Sequence, residues 1–365
     1  MASTAAVGSA ACPWDALPLH LQERILSLLP LTDLLPVAAA SRSLRRLIRS
    51  AAFHALLSPH RLDAFFLLTP RLAVHPLSRR VLATPLPAAV GAPPSPPLVS
   101  SASPSLLITP ATLRHLPPLP AGSYLLSVVV PPRASASSSS SLSPPYTLVA
   151  VTTGAAVRSY TLHSADPTPR WASRGDLPLP FALLGNAAVS GDRGRLFVLG
   201  RGSDALLMFD LATGKWEVMP VVMPHGLTTA HLFEFDGRLF LVGGVERFGE
   251  VERVVVWLMA GGEEDSLWKE VGVMPVEVFE ELVAGRHGSF WHFQAADRMG
   301  IVCLYNAVDG RLVMFDAANG QWTVLPIVSG LDAEESSRWF GHVMEPGVEL
   351  FKRQYKLQTE VIRKV

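Results

Sequence analysis

The sequence WDALPLHLQERILSLLPLTDLLPVAAASRSLRRLIRSAAF, at residues 14–53, is the long helical stretch around which the chain is organised. Pro30 predicts the end of a first helix, Thr32 the N-cap of a second, and Ser41 or Ser43 the start of a third. Three short amphipathic helices cannot bury a sizeable core alone, so we expect this unit to pack against another domain or another protein. The apolar residues that recur at helical spacing are Leu17, Leu21, Ile25, Leu26, Leu29, Leu34, Leu35, Val37, Ala38, Leu44, Leu47 and Ile48.

Part of this pattern resembles the F-box, a motif of three helices. The residues that carry the resemblance are Leu17-Pro18, Leu21, Ile25-Leu26, Leu29-Pro30, Asp33-Leu34, Ser41-Arg42, Leu44-Arg45 and Leu47. In that family the motif binds the Skp-type adaptor of a cullin-RING ubiquitin ligase, so the resemblance implies this adaptor and, through it, a cullin as partners. The structural alternative is a helical cap on the following domain. The residues implied to bind the adaptor are Leu17, Pro18, Leu21, Ile25, Leu26, Leu29, Pro30, Leu34, Leu44 and Leu47.

Charge and cysteine content exclude several classes of protein. The 365 residues include 31 Lys or Arg and 31 Asp or Glu, a formal net charge of zero that does not indicate a nucleic-acid binder. Cys12 and Cys303 are the only cysteines, which excludes a disulfide framework and favours a reducing compartment. No run reaches the ~18 apolar residues of a membrane span, and residues 1–13 lack the features of a secretory signal. We therefore expect a protein of the nucleus, the cytoplasm or both, without a membrane partner.

After about residue 60, short apolar runs separated by Pro, Gly, Ser and Asp are typical of an all-β domain. FDLATGKWEVMP at 209–220 returns as FDAANGQWTVLP at 315–326. In each copy we expect the Asp to cap its own backbone and the Thr-Gly or Asn-Gly pair to supply the positive φ of a tight hairpin. Weaker copies contain Trp171 and Trp268, so the four tryptophans are 45, 52 and 54 residues apart. That spacing is typical of four-stranded propeller blades.

A second apolar strand recurs upstream of these copies. It reads GRLFVLGR at 194–201, GRLFLVGG at 237–244 and MGIVCLYN at 299–306, and Asp236-Gly237 predicts a hairpin turn. The apolar strand, the Gly243-Gly244 pair and the later Trp resemble a kelch repeat. Two further segments, at 73–87 and 106–120, have the outline of this repeat. They bring the predicted number to about six blades, with five and seven as alternatives.

The predicted protein is thus multi-domain: a small all-α three-helix F-box followed by an all-β kelch-type β-propeller of about six blades. Two loops inside the propeller, at 88–104 and 133–145, are expected to be disordered because Pro, Ala and Ser dominate them. Glu349–Phe351 is expected to complete the first blade. The predicted boundaries are a disordered N-terminus at 1–13, the F-box helical module at 14–55, the propeller at 60–351 and a basic C-terminal tail at 352–365.

The candidate chemical groups do not predict an active site. His225 and His231 are six residues apart, and His287 and His292 five apart, whereas a helical zinc pair has a spacing of four. Cys303 lies among apolar neighbours and is expected to be a packed thiol rather than a nucleophile. We expect no metal, no cofactor and no enzymatic activity, with a propeller enzyme as the less favoured alternative.

With no active site predicted, binding of another molecule remains as the function of the β domain. In a propeller, the loops that lead into the innermost strands lie together on one face, and here they carry large polar and aromatic side chains. Together with the F-box resemblance, such a face implies a substrate-recognition subunit of a Skp-cullin-F-box E3 ubiquitin ligase, an arrangement abundant in plants. The alternative is an F-box protein that acts as a non-degradative binding scaffold or transcription cofactor. Trp291 and Trp339 alternatively pack between blades. The candidate substrate-binding residues are His225, His231, Arg286, His287, Phe290, Trp291, Arg338, Trp339 and Phe340.

Overall fold

The computed structural model of the protein divides into two compact units, one of residues 1–63 with 348–365 and one of residues 64–347. The structure describes residues 14, 16–29, 31–56, 65–69, 72–75, 79–83, 123–130, 147–153, 157–163, 165–168, 170–178, 183–190, 194–201, 205–260, 267–283, 293–306, 308–327 and 343–344. The predicted loops at 88–104 and 133–145, and the predicted terminal segments at 1–13 and 352–365, lie outside these ranges.

The described residues of the first unit form four helices rather than the three that the sequence predicts. They are α1 (Leu19–Ser27), α2 (Leu31–Ala40), α3 (Arg42–Ile48) and α4 (Ala51–Leu56). Ser41 is confirmed as the N-cap of α3. Thr32 is not an N-cap, because α2 already begins at Leu31 and places Asp33 in its first turn, where a carboxylate stabilises a helix. The unpredicted α4 begins after Ser50, whose hydroxyl accepts a hydrogen bond from the Phe53 N–H at 3.0 Å.

The second unit is built from five antiparallel sheets of four strands each among the described residues. The sheets that open it hold β1 (Phe65–Thr69), β2 (Leu72–His75) and β3 (Arg80–Ala83), then β4 (Ser123–Val130), β5 (Thr147–Thr153), β6 (Arg158–His163) and β7 (Ala172–Asp176). The third sheet holds β8 (Leu183–Ser190), β9 (Arg195–Arg201), β10 (Ala205–Asp210) and β11 (Lys215–Val218). The fourth holds β12 (Leu227–Phe235), β13 (Arg238–Arg247), β14 (Glu250–Ala260) and β15 (Leu267–Val273). Helix α5 (Val276–Val283), which the sequence reasoning missed, precedes the fifth sheet of β16 (Gln294–Arg298), β17 (Ile301–Asn306), β18 (Arg311–Asp316) and β19 (Gln321–Val324).

The order of the strands makes this unit a β-propeller. Four sheets are simple meanders, whereas the first has the order β20-β1-β2-β3 and takes its first strand, Val343–Met344, from the far end of the domain. Phe65 pairs with Met344 and Phe66 with Val343. The first strands contact one another in the order β4, β8, β12, β16, β20, as the innermost strands of a ring do. The predicted propeller is therefore confirmed.

Two details of the predicted propeller differ or stay open. The strand that completes the first blade is Val343–Met344 rather than Glu349–Phe351, and residues 349–351 lie outside the described ranges. The hairpin expected near the start of the domain, in 73–87, is present as β2 and β3. The candidate repeat at 106–120 lies outside the described residues, so a total of about six blades stays a prediction.

The turn residues behave as their sequence predicts. The Asp210 carboxylate accepts hydrogen bonds from the N–H groups of Ala212 and Thr213, at 2.9 and 2.7 Å. The bond from Thr213 holds the pKa of Asp210 below its usual value. Gly214, which closes this turn, has φ +69°, and Asp236-Gly237 joins β12 to β13 with positive φ at both residues.

The blade that contains Gly243-Gly244 needs both glycines for packing. A Cβ on Gly243 would lie 2.9 Å from the Thr229 carbonyl oxygen on β12, and a Cβ on Gly244 would lie 3.0 Å from a methyl group of Val251 on β14. Both distances are shorter than normal van der Waals contact. The pair therefore lets the strands on both sides approach β13 closely, which accounts for this kelch-like feature in physical terms.

The tryptophans of the two strong repeats pack alike but differ in hydrogen bonding. The ring centroids of Phe209 and Trp216 are 4.8 Å apart, and those of Phe315 and Trp322 are 4.7 Å apart. The Trp216 indole N–H donates to the Ser159 hydroxyl of the preceding blade at 2.9 Å. The buried Trp322 indole nitrogen has no such partner.

This difference predicts unequal effects of the same substitution. We expect Trp216→Phe to lower the free energy of unfolding by about 1 kcal/mol more than Trp322→Phe, because only the former loses a hydrogen bond. Urea unfolding followed by circular dichroism measures both variants without relying on tryptophan emission. Equal losses of stability in the two variants would contradict the assigned role of the Ser159 contact.

Candidate functional site

The helical unit has a small core to which all four helices contribute. Leu26 of α1, Leu34 and Ala38 of α2, Ile48 of α3 and Phe53 of α4 are all buried in it. A core of this size leaves the rest of the apolar residues at or near the surface.

Helix α1 presents an apolar stripe to solvent on the side away from this core. Leu21, Ile25 and Leu28 are 41, 42 and 74% exposed. At 3.6 residues per turn they lie within about 60° of one another around the helix axis. A stripe of three large aliphatic side chains on so small a unit is typical of a surface that another protein covers. The same unit also exposes basic residues: Arg24, Arg42, Arg46 and Arg49.

The structure sorts the predicted adaptor-binding residues into three groups. Leu26 and Leu34 belong to the core, so they shape the unit and do not offer a contact surface, which corrects the prediction for these two. Pro18, Leu21 and Ile25 are exposed, and Pro30 lies outside the described residues. Leu28 was missed, although its spacing from Leu21 and Ile25 signals the stripe. The partly exposed members are Leu17, Leu29, Leu44 and Leu47.

Polar contacts fix the segment that leads into the stripe. The Gln22 side-chain amide donates to the carbonyl oxygens of Trp14 and Leu17, at 3.1 and 2.9 Å. Trp14 in turn packs against the helical core. The Arg45 guanidinium donates to the Ala38 carbonyl oxygen at 3.0 Å and ties α3 to the end of α2. The stripe therefore stands on a braced unit rather than on an isolated helix.

The propeller has two different ends. At one, which we call the loop end, the fourth strand of each blade leads to the first strand of the next, and the second strand leads to the third. At the other, which we call the turn end, lie the turns between first and second strands and between third and fourth. The candidate substrate-binding residues were drawn from the segments of the loop end.

Of these nine candidates the structure describes only two. His225 is exposed in the segment that leads into β12. His231 is only 4% exposed and pairs with Asp297, so it is not available to a partner at the surface. The others lie outside the described residues: Arg286, His287, Phe290, Trp291, Arg338, Trp339 and Phe340.

The His231–Asp297 pair joins the innermost strands of two neighbouring blades. The imidazole Nε2 of His231, on β12, lies 2.7 Å from Oδ1 of Asp297, on β16. Burial raises the pKa of the Asp297 carboxyl, while the contact with His231 and the charge of Arg298 act in the opposite direction. The pair is a structural tie between blades, and the sequence spacing of 66 residues gave no signal of it.

The loop end exposes more apolar side chains than its sequence suggested. Phe248 lies in the turn between β13 and β14 and is 94% exposed. Val222 precedes β12 and is 80% exposed. The sequence predicted other polar and aromatic side chains as the contact residues of this end and indicated neither Phe248 nor Val222. Other exposed apolar residues at this end, among those that the structure describes, include Val276, Val308 and Ile327.

The described residues include few groups suited to nucleophilic or metal-dependent chemistry. Cys303 is buried in the middle of β17, as predicted, and burial raises the pKa of its thiol well above the ordinary range. Within the described part of the chain, no group of three or more His, Cys, Asp or Glu residues could hold a metal ion. In the same part, no helix has both the length and the apolar character to cross a membrane.

Comparisons with known proteins agree with this architecture. Residues 14–56 match the family model of the F-box domain. Protein ABERRANT PANICLE ORGANIZATION 1 of Oryza sativa subsp. japonica is 29% identical over 356 residues, covering 86% of this chain and 82% of that protein. F-box/kelch-repeat protein At5g43190 of Arabidopsis thaliana is 28% identical over 366 residues, covering 90% of this chain and 87% of that protein. The solved structure of YjhT aligns with a TM-score of 0.38 and 14% identity, covering 51% of this chain and 64% of that one.

The matched F-box domain coincides with the four helices of the first unit, and the second unit is a propeller of four-stranded sheets. These features define an F-box protein whose second domain is a β-propeller. The two long relatives, one of them named an F-box/kelch-repeat protein, extend the likeness across both domains.

Proposed function

We propose that the protein is the substrate-recognition subunit of a Skp-cullin-F-box E3 ubiquitin ligase. The observation that carries the proposal is the exposed stripe of Leu21, Ile25 and Leu28 on the F-box domain. Three apolar side chains on one side of a braced helix are suited to the apolar groove of a Skp-type adaptor. Through that adaptor the protein joins a cullin.

The propeller supplies the second half of this function. Its loop end, with exposed apolar and polar side chains, is suited to hold a protein substrate. The chain itself then performs no chemical step. Its contribution is proximity: the substrate's lysines are held where a transferring enzyme bound to the cullin reaches them. The proposed setting is the nucleus, the cytoplasm or both.

Co-expression with a Skp-type adaptor tests the first half of the proposal. We expect wild-type chain to be captured and Leu21→Asp/Ile25→Asp to be lost, since two carboxylates buried in an apolar interface without partners cost several kcal/mol. The control His20→Asp/Ser27→Asp adds two carboxylates to the same helix outside the stripe and is expected to bind. Failure of the wild-type chain to bind any of a panel of adaptors would reject the proposal.

A second measurement separates a ligase from a non-degradative F-box protein. Reconstitution with adaptor, cullin and transferring enzymes is expected to yield ubiquitin chains on a protein bound at the propeller. Binding of the adaptor with no modification of the propeller's partner would favour a scaffold role instead.

A further inference from the structure

Strand β13 extends further toward the loop end than the equivalent strands β9 and β17 do. Its segment 237–244 corresponds in sequence to 194–201 and 299–306, and the strands β9 and β17 end with those segments. Strand β13 continues for three more residues, Val245 to Arg247. At about 3.3 Å per residue, the β13–β14 hairpin projects roughly 10 Å beyond the level where the other two strands end.

An aromatic residue occupies the tip of this hairpin in an unfavourable backbone conformation. Arg247 pairs with Glu250, so Phe248 and Gly249 form a two-residue turn, with φ +56° and +86°. Such turns favour Asn or Gly at their first position, and a bulky side chain is uncommon there. A bulky residue held in this sparsely populated region, at a fully projecting position, supports the hypothesis of a functional role.

Phe248 is also the most exposed of the large apolar side chains in the described part of the chain. One side of its ring is covered only by the Arg247 guanidinium, whose central carbon lies 5.3 Å from the ring centroid. The tip rests beside the segment that carries Val222 and His225, because the Glu246 N–H donates to the Gly226 carbonyl oxygen at 2.8 Å. A projecting aromatic side chain beside a segment that carries another exposed apolar residue has the form of an interface anchor.

The charge of the tip indicates the charge of the partner surface that receives it. The tip, residues 246–250, carries the carboxylates of Glu246 and Glu250 against the guanidinium of Arg247, a net charge of −1, and Glu252 follows on the same strand. Arg247 lies 3.7 Å from Glu252, so its charge is already partly balanced within the hairpin. A negatively charged tip disfavours an anionic membrane surface and favours a basic rim on a protein.

We propose that the tip of the β13–β14 hairpin, residues 246–250, inserts Phe248 into an apolar pocket of a protein partner, and that lysine or arginine side chains border this pocket. The inference rests on the proposed function in one respect: the partner is the substrate that the propeller holds. It adds the position of the anchor and the chemistry of the surface that receives it.

The first step of the test is photocrosslinking in cells with Phe248→p-benzoylphenylalanine in the full chain. Each crosslinked protein is identified, the crosslinked residue is mapped, and the protein is produced in recombinant form as the probe. Its affinity is then measured for wild-type chain, Phe248→Asn and Met299→Asn. Asn suits the backbone of both turns, and Met299 occupies the equivalent first position of a two-residue turn at the turn end.

We expect Phe248→Asn to weaken binding at least about 30-fold, as loss of an interface anchor does, and Met299→Asn to change it by less than twofold. The melting temperature of Phe248→Asn is expected to equal or exceed that of wild type, which separates a binding role from a structural one. Affinity is expected to fall as salt rises, because the rim and the tip carry opposite charges.

Several results would overturn the inference. These are equal affinity of wild type and Phe248→Asn for the probe, a crosslinked surface that is acidic, no crosslinked protein at all, or Phe248-dependent binding to phosphatidylserine vesicles. Adaptor capture distinguishes this failure from failure of the proposed function, because Phe248→Asn leaves the F-box stripe intact. Conversely, a probe that binds through Phe248 and is never ubiquitinated would reject the ligase role and retain the anchor.

Discussion

His231→Leu is expected to lower the free energy of unfolding of the propeller by about 3–5 kcal/mol at pH 7. The substitution removes the partner of a carboxylate that is buried between two blades, with Oδ1 only 2.7 Å from the imidazole. The Asp297 carboxylate, whose side chain is only 10% exposed, then loses its histidine partner. Urea unfolding of the full chain, followed by circular dichroism, measures the loss.

The double variant His231→Leu/Asp297→Leu is the control. It replaces the pair by apolar side chains, so much of the lost stability is expected to return. If the single and double variants were equally unstable, the loss would come from packing rather than from an unpaired charge.

For the single variant His231→Leu, the loss of stability is also expected to depend on pH, and the direction of that dependence follows from the pKa of Asp297. Burial already raises the pKa of Asp297 above the unfolded value of about 3.9, and His231→Leu removes a cause that lowers it. The native variant therefore binds a proton more tightly than the unfolded chain does. Its deficit relative to wild type is expected to shrink as pH falls through the raised pKa and to grow again as pH rises. A deficit that does not change with pH would contradict the assignment.

Leu34→Ala is expected to destabilise the helical unit by about 3 kcal/mol and to abolish adaptor capture through unfolding. Leu34 is fully buried in a core of five residues, so the remaining side chains cannot fill the cavity. Circular dichroism of the full chain at increasing temperature detects the loss of helix.

Leu28→Ala is the matched comparison for that variant. Leu28 is 74% exposed, and its truncation is expected to change stability by less than about 0.5 kcal/mol while it weakens adaptor binding. A large loss of stability in Leu28→Ala, or none in Leu34→Ala, would reverse the assignment of core and contact residues on this unit.

The features that sequence predicted well are those whose causes are local. The capping by Asp210 and the positive φ of Gly214 depend on residues two to four positions apart. The spacing of Leu21 and Ile25 likewise indicated a helix without reference to anything else in the chain. The repeat of such local units was enough to predict the propeller.

What sequence missed depends on contacts between distant segments. Leu26 and Leu28 are the same type of residue. Only the packing of α1 into the helical core decides that the first is buried and the second exposed. The partner of His231 lies in the next blade and gave no local signal. Phe248 had a local signal, a Phe-Gly pair between two apolar runs, but its exposure follows from the projection of the hairpin.

The pairing of β20 with β1 has a consequence for the order in which the protein is made. Val343–Met344 leaves the ribosome after the other nineteen described strands, whereas the four helices of the F-box domain are complete by residue 56. Until that moment β1 keeps one edge without its partner, and unpaired strand edges join other chains. Contacts so distant in sequence also form slowly. A newly made chain therefore passes through a period in which its F-box domain is fully synthesised while its propeller cannot yet close. In this period the chain most needs a chaperone.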